Sequence, residues 1–446
     1  MIKKITILGF VVLIASSIFA GVLNYVPQNA NLVLLFQNNG PNYDSLKTNV
    51  PIFSFLLNDL GLESLVQSSV SNTANSLNFK SSQIWSFTLN DFVIFSDANQ
   101  KDIAVVGKGD STVIVKFIQS LIGGQIGSAN VNGKKIQSVT FNGVTVYFYS
   151  DSGYTIISNS TSMISDAINA NASNKSFSFN ISYPKNAWFV SSWNGNFLTG
   201  ASTNLVNQNG GYAYGIVSNG QLYVYGKDNL IYKDQNLKNA VTSSKVNSLS
   251  LATDPATGDI WISADISNPS QFYNILKPYL KNNVEFDISN VINYLNGKAF
   301  AQANLVSSQD YVMTMYLSKD ISPQIPTLSK DANGTFTWQG HTVLRYDTTE
   351  GTRTIHDYTI IYPDKIVSSN MQPDELVKYL SKAKPANSMG ILPSLSSQLW
   401  QNSFLTVYIN SSGAIENMLQ YSVNSGVVIQ ARNDSNGNIE FQMIVK

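Results

Sequence analysis

One stretch of the sequence matches a second stretch in the other half of the chain, and this self-match constrains the fold more than any other feature. The first stretch, Phe141 to Ala172, has the pattern of two strands joined by a short turn and followed by a helix. The second, Trp338 to Ala383, also opens with an aromatic residue, one further residue and glycine, and it also reaches a Tyr-Thr-Ile strand. Both pass through a Ser-Asn step, Ser158-Asn159 and Ser369-Asn370, ahead of an amphipathic helix. The repeat predicts two related domains that mix strands and helices.

Further elements recur around these stretches. Apolar runs predict strands at Phe92 to Phe95 and Ile103 to Val106 in the first half, and at Ser248 to Thr253 and Ile260 to Asp265 in the second. Each half closes with an Asn-Gly pair between apolar runs, which favours a two-residue hairpin turn; the pairs are Asn219-Gly220 and Asn436-Gly437.

The fold class predicted from these patterns is α+β. We expect two tandem duplicated domains, residues 22–230 and 246–446, joined by a polar linker at residues 231–245. Each domain should be an antiparallel β-sheet with helices packed on one face.

The first twenty residues have the pattern of an export signal. Lys3 and Lys4 form a basic start, an apolar run follows, and Ala20-Gly21 offers small residues for cleavage. We expect residues 1–20 to be removed, no membrane span in the mature chain, and a location in the periplasm, at the cell surface or outside the cell.

Composition excludes several classes of protein. The chain contains no cysteine, so it has neither disulfides nor a thiolate nucleophile or metal ligand. Its 28 basic and 28 acidic residues cancel and form no basic cluster, which argues against nucleic-acid binding. The phosphate-binding glycine motifs of nucleotide-cofactor proteins are absent, and we expect no cofactor.

The start of the mature chain resembles a known family. Val26-Pro27, Ala30 and Leu32-Val33, followed by Tyr43 and the Phe55-to-Gly61 segment, are similar to uncharacterised exported bacterial proteins grouped only as a domain of unknown function. The resemblance covers the opening of the mature chain and implies export. It supplies no catalytic residues.

Only two histidines are available for metal binding or catalysis, His341 and His356. A hairpin turning near Gly351 would bring them towards each other with Asp347 and Asp357 nearby, so they are the only candidates for a metal site. Their spacing is not a metal motif, and we predict two surface strand histidines and no metal. No nucleophile-elbow motif or marked carboxylate pair indicates a hydrolase.

A tyrosine-rich hairpin face is the candidate binding surface. Pairing around Asn219-Gly220 places Tyr212, Tyr214, Tyr223 and Tyr225 on one face and aliphatic residues on the other. Such a face suits a cell-envelope protein or a glycan as partner. We nevertheless expect a helix or the second domain to cover it.

These observations favour an exported protein that is not an enzyme and has a binding or structural role. One alternative is a hydrolase that acts on a cell-wall or extracellular polymer through dispersed carboxylates. Another is a carrier that encloses an apolar ligand. Converging carboxylates in a cleft would favour the hydrolase, and a closed apolar cavity would favour the carrier.

Overall fold

The computed structural model describes residues 21–97, 99–173, 175–195, 205–280, 289–304, 310–412, 415–416, 421 and 423–446. The predicted export signal, residues 1–20, lies outside the described residues. The chain divides into two compact units: residues 1–201 with 208–229, and residues 202–207 with 230–446.

The strands of the first unit follow one another mostly through short turns. They are β1 (Leu32–Phe36), β2 (Phe92–Ser96), β3 (Ile103–Lys108), β4 (Gln125–Val131), β5 (Lys134–Phe141), β6 (Val144–Asp151), β7 (Tyr154–Ser158), β8 (Phe189–Trp193), β9 (Val206–Ser218) and β10 (Gln221–Tyr232). The helices are α1 (Asn39–Asn49), α2 (Pro51–Ser54), α3 (Leu62–Ser76), α4 (Ser81–Thr88), α5 (Ser111–Ile122) and α6 (Thr161–Ser173), with a π-helical turn at Phe55–Asp59 and a 3₁₀ turn at Val22–Tyr25.

All strand pairs of this unit are antiparallel where their register is defined. Along the sheet the order is β9-β8-β1-β2-β3-β7-β6-β5-β4, and β10 pairs with β9. Four of the hairpins turn through two residues that both have positive φ, the backbone that type I′ turns require. These turns are Asn132-Gly133, Asn142-Gly143, Ser152-Gly153 and Asn219-Gly220.

Helices cover both faces of this sheet rather than one. Val93, Phe95 and Val106 pack with Ile164 and Ala167 of α6 in one core cluster. The alternate strand residues form a second cluster with α5: Phe36, Phe92, Ile94, Val105, Ile114 and Val115. Strands buried on both faces are apolar throughout instead of alternating, which is how β1 and β2 read in the sequence.

Among the described residues, the second unit contains two short strands and ten longer ones. Its strands are β11 (Pro255–Ala256), β12 (Ile260–Asp265), β13 (Leu295–Ala303), β14 (Tyr311–Leu317), β15 (Gly334–Trp338), β16 (His341–Glu350), β17 (Arg353–Ile361), β18 (Lys365–Ser369), β19 (Lys384–Pro385), β20 (Leu405–Ile409), β21 (Val427–Asn433) and β22 (Ile439–Val445). Its helices are α7 (Gln235–Ser243), α8 (Pro269–Leu280), α9 (Ser289–Ile292), α10 (Ile325–Leu328), α11 (Pro373–Leu380) and α12 (Leu392–Leu395).

The ten longer strands form an antiparallel sheet in the order β22-β21-β20-β12-β13-β14-β18-β17-β16-β15. If the longer strands of each unit are numbered from that unit's own first strand, the two sheets have the same strand order. The α+β class with antiparallel sheets is confirmed. The common order is what a duplication predicts, and the duplication itself stays a prediction.

The self-match in the sequence is one strand out of register with this common order. Asn142-Gly143 joins β5 to β6, whereas Gln339-Gly340 joins β15 to β16, the counterparts of β4 and β5. The Tyr-Thr-Ile segments therefore lie on different strands, Tyr154 on β7 and Tyr358 on β17. The stretch from Trp338 to Ala383 contains one strand more than the stretch from Phe141 to Ala172.

The Ser-Asn steps do occupy equivalent places, and they make the same hydrogen bonds. Ser158 Oγ donates to the Ile103 carbonyl at 2.8 Å, and Asn159 Oδ1 accepts from the Ile103 N–H at 2.9 Å. In the second unit, Ser369 Oγ donates to the Tyr311 carbonyl at 2.7 Å, and Asn370 Oδ1 accepts from the Tyr311 N–H at 3.2 Å. In each unit, the Ser-Asn step links the strand that precedes a helix to the first residue of the neighbouring strand, which is β3 in the first unit and β14 in the second.

At three places the structure adds to or differs from the local predictions. Ser248–Thr253 is a 3₁₀ helix and not a strand, because Asn247 Oδ1 accepts the Ser250 N–H and caps it. The predicted linker, residues 231–245, contains the helix α7. The final hairpin turns through five residues rather than two, because the Asp434 carboxylate accepts the N–H groups of Asn436 and Asn438 inside the loop.

None of the described helices combines the length and the apolar character that crossing a bilayer requires.

Candidate functional site

The tyrosine face lies at one side of the first unit's sheet. Tyr214 is opposite Val190 of β8, and Tyr212 is opposite Ser192. The Tyr225 ring centroid lies 5.4 Å from that of Tyr214 and 6.2 Å from that of Tyr212. All four tyrosines, Tyr223 included, are half-buried, while Leu222 and Val224 on the other face are buried. Burial, with a smaller contribution from Tyr212, raises the pKa of the Tyr214 hydroxyl.

We expect Tyr214→Ala to lower the free energy of unfolding by about 2–3 kcal/mol. A fully buried large aromatic residue costs about 3–5 kcal/mol on truncation, and Tyr214 is only half-buried. Denaturant unfolding of Tyr214→Ala and Tyr225→Ala measures this. Midpoints close to that of the wild type for both variants would instead indicate a surface available to a partner.

The two histidines do not lie together. The His341 ring contacts the Tyr362 ring in a tilted arrangement with ring centroids 4.4 Å apart, whereas His356 Nδ1 lies 2.7 Å from Asp347 Oδ1. Asp347 is opposite His356 and six positions along β16 from His341, which is about 20 Å of strand. The His356 hydrogen bond, followed by the charge of Arg345, lowers the pKa of Asp347. The predicted hairpin is present, but one ion could not reach both imidazoles.

A polar cleft of about 620 Å³ in the second unit was not predicted from the sequence. It is bounded by the end of α7 with the loop after it, the end of β12, the start of β13, and two loops. Its lining side chains are mostly amides, hydroxyls and charged groups: Thr242, Ser244, Lys245, Asn247, Asp265, Ser267, Asn296, Lys298, Asn402, Asn433 and Asp434.

Reciprocal hydrogen bonds fix the loop after α7. Ser267 Oγ accepts from the Lys245 N–H at 3.0 Å and donates to the Lys245 carbonyl at 2.9 Å. The Asn247 N–H donates to Asp265 Oδ2 at 2.7 Å. These hydrogen bonds fix the Lys245 backbone at the rim, and its exposed side chain lines the cleft.

The two carboxylates of the cleft are already engaged. Asp265 is 6% exposed and accepts the Asn247 N–H. Asp434 accepts two backbone N–H groups of its own loop and the Asn438 amide. These hydrogen bonds hold the two carboxylates in place and indicate a structural role for them.

The two lysines are the cationic groups of the cleft. Lys298 Nζ donates to Ser250 Oγ at 3.1 Å. Among the described ion pairs, none joins the ammonium of Lys245 or Lys298 to a carboxylate. At the end of α7, hydroxyls of Thr242, Ser243 and Ser244 donate to carbonyls of the preceding turn and offset the negative end of the helix dipole.

Comparison with known proteins adds no family. No family model matches the chain, and no curated protein matches it. Solved structures of TP0453 are similar at a low level. The match to crystal form I covers 43% of this chain and 75% of the TP0453 chain, at 11% sequence identity and a TM-score of 0.26. Crystal form IV covers 82% and 98%, at 11% identity and a TM-score of 0.21. Scores this low carry no inference about fold or function.

Proposed function

We propose that this protein is an exported, non-enzymatic binding protein whose polar cleft in the second unit holds a small ligand with an anionic group. The observation that supports the proposal is the pair Lys245 and Lys298, which line the cleft and take part in none of the ion pairs found among the described residues. Asp265 and Asp434 accept hydrogen bonds from N–H groups of the chain itself. An ammonium group binds a carboxylate or a phosphate as a point charge, and the surrounding asparagines offer donors to its remaining oxygens.

The same geometry supports this role over the two alternatives. A polymer hydrolase of the usual kind needs two carboxylates free to act as acid and as base or nucleophile. Here both carboxylates of the cleft are hydrogen-bonded within the chain. A carrier of an apolar ligand needs an apolar lining, whereas this cleft is lined mainly by polar side chains.

Export is the second part of the proposal. It rests on the basic start at Lys3 and Lys4, the apolar run after it and the small residues at Ala20-Gly21. The similarity of the mature N-terminus to exported proteins of unknown function points the same way. A cell-envelope location would expose the cleft to metabolites, lipid headgroups or wall fragments that carry carboxylate or phosphate.

We expect titration calorimetry with glucose 6-phosphate to show binding that glucose does not reproduce. Lys245→Gln combined with Lys298→Gln should weaken that binding at least about tenfold, since each lost charge-assisted hydrogen bond to an anion is worth about 1.5–3 kcal/mol. Lys135→Gln, at an exposed lysine of β5 in the first unit, is the matched control and should leave affinity unchanged. Inorganic phosphate as a second probe separates recognition of the anion from recognition of the sugar. Equal affinity for glucose and glucose 6-phosphate, or an unaffected double variant, would contradict the proposal.

A further inference from the structure

Strands β4 and β15 form equivalent edges of the two sheets. Among the described residues β4 pairs only with β5, and β15 only with β16. A free edge offers a row of backbone N–H and C=O groups to another strand, and proteins usually block such edges with lysine, proline or a charge. Neither Gln125–Val131 nor Gly334–Trp338 contains a charged residue or a proline.

The turn after β15 sets which of its backbone groups point outwards. Gln339 and Gly340 have φ values of 47° and 82°, so this is a type I′ turn and its flanking residues, Trp338 and His341, exchange hydrogen bonds. In an antiparallel ladder the bonding alternates along the strand. Phe336 therefore bonds inwards to β16, and Thr335 and Thr337 present their N–H and C=O groups to solvent. Both threonines are exposed.

We propose that β15 pairs with β15 of a second copy of this chain, antiparallel and around a two-fold axis at Phe336. The sequence Thr335-Phe336-Thr337 reads the same in both directions, so this pairing sets each Thr335 opposite Thr337 of the second copy. Each such pair exchanges two backbone hydrogen bonds, which makes about four across the interface. Opposed threonines are also a favourable cross-strand pair.

The central pair is aromatic. Phe336 faces Phe336 of the second copy at a position without hydrogen bonds, where antiparallel side chains come closest. The Phe336 side chain is 41% exposed, so it is accessible to the Phe336 ring of the second copy. Aromatic pairs add to the stability of a sheet beyond the area that they bury.

The outer pair uses a device already present in the first unit. The same register sets Gly334 opposite Trp338 of the second copy. In the first unit, Phe189 is opposite Gly215 and Trp193 is opposite Gly211, with each ring so close that a Cβ on the glycine would lie 2.2 Å and 2.6 Å from it, respectively. An aromatic ring over a cross-strand glycine compensates for the missing side chain.

The equivalent edge β4 lacks this symmetry. Pairing β4 with itself around Ser128 would set Ile126 opposite Asn130, an apolar residue against an amide. Its exposed Ile126 and Gly127 make it the matched control for β15.

The absence of cysteine allows a direct test of the register. In oxidised mature protein, Phe336→Cys should form an intermolecular disulfide, because directly opposed residues without hydrogen bonds have Cα atoms about 4.5–5.5 Å apart. Thr335→Cys should form much less of this disulfide. Its two thiols would lie diagonally across the interface, with Cα atoms about 7–8 Å apart. Gly127→Cys on β4 should also stay largely monomeric. Equal cross-linking of all three variants would overturn the proposal.

Sedimentation velocity tests the interface without a cross-link. The wild type should shift from monomer to dimer with rising concentration. Phe336→Lys, which sets like charges opposite each other, should raise the dissociation constant at least about tenfold. Ile126→Lys, at a similarly exposed position on β4, should have no effect. A wild type that remains monomeric up to its solubility limit would also overturn the proposal.

Discussion

Trp261→Ala is expected to lower the free energy of unfolding of the second unit by about 3–5 kcal/mol, the cost of truncating a fully buried aromatic residue. Trp261 is 0% exposed and lies at the middle of the sheet, on β12. Its ring centroid is 5.8 Å from that of Phe300 and 5.6 Å from that of Tyr408, on the two neighbouring strands. The removed indole would leave a cavity that these rings cannot fill without moving the sheet.

Denaturant unfolding measures this cost, and the next residue on the strand provides the control. Ile262 points to the other face of the sheet and is 41% exposed, so Ile262→Ala should cost about 1 kcal/mol or less. Similar losses for the two variants would contradict the assignment of the packed face of β12.

The second large effect is expected at Gln430, which is 0% exposed at the centre of a polar network. Its amide nitrogen donates to the Trp400 carbonyl at 3.0 Å, to Ser403 Oγ at 3.2 Å and to Thr406 Oγ1 at 3.1 Å. Its carbonyl oxygen accepts from the Trp400 N–H and from the Gln442 amide, both at 2.7 Å. Ser248 completes the network with hydroxyl contacts of 2.8 Å to both Ser403 and Thr406.

Gln430→Leu should therefore lower the free energy of unfolding by about 2–6 kcal/mol. At least two donors, the Trp400 N–H and the Gln442 amide, would lose the acceptor they use here, at about 1–3 kcal/mol each. Ile429→Val, one residue earlier and on the other face, should cost about 0.5–1.5 kcal/mol. A Gln430→Leu variant as stable as the wild type would mean that the buried hydroxyls and amides satisfy one another without the glutamine.

Local patterns predicted the elements better than they predicted the repeat. The runs at Phe92 to Phe95 and Ile103 to Val106 are strands, as expected, because continuous apolar residues are what a doubly covered strand requires. Asn219-Gly220 is the expected two-residue turn, because both positions need positive φ. The two stretches of the self-match were offset by one strand because strands separated by similar turns look alike.

The candidate cleft could not be found in the sequence. Its residues come from segments far apart along the chain, such as Lys245, Lys298 and Asp434, and none of these segments has a local motif. The final Asn-Gly pair does not form the predicted two-residue turn. Asp434, two residues before it, accepts hydrogen bonds from N–H groups of the loop and stabilises a longer turn. Long-range pairing, rather than propensity, places these groups together.

Native mass spectrometry of the protein isolated from its own cell envelope tests the functional proposal most directly. The proposal predicts a mass that lacks Met1 to Ala20 and an additional bound species that carries a carboxylate or a phosphate. That species should be lost from the variant with both Lys245→Gln and Lys298→Gln, and it should be kept in Lys135→Gln. A protein that carries no bound species, or that keeps the same species after both cleft lysines are replaced, would contradict the proposal.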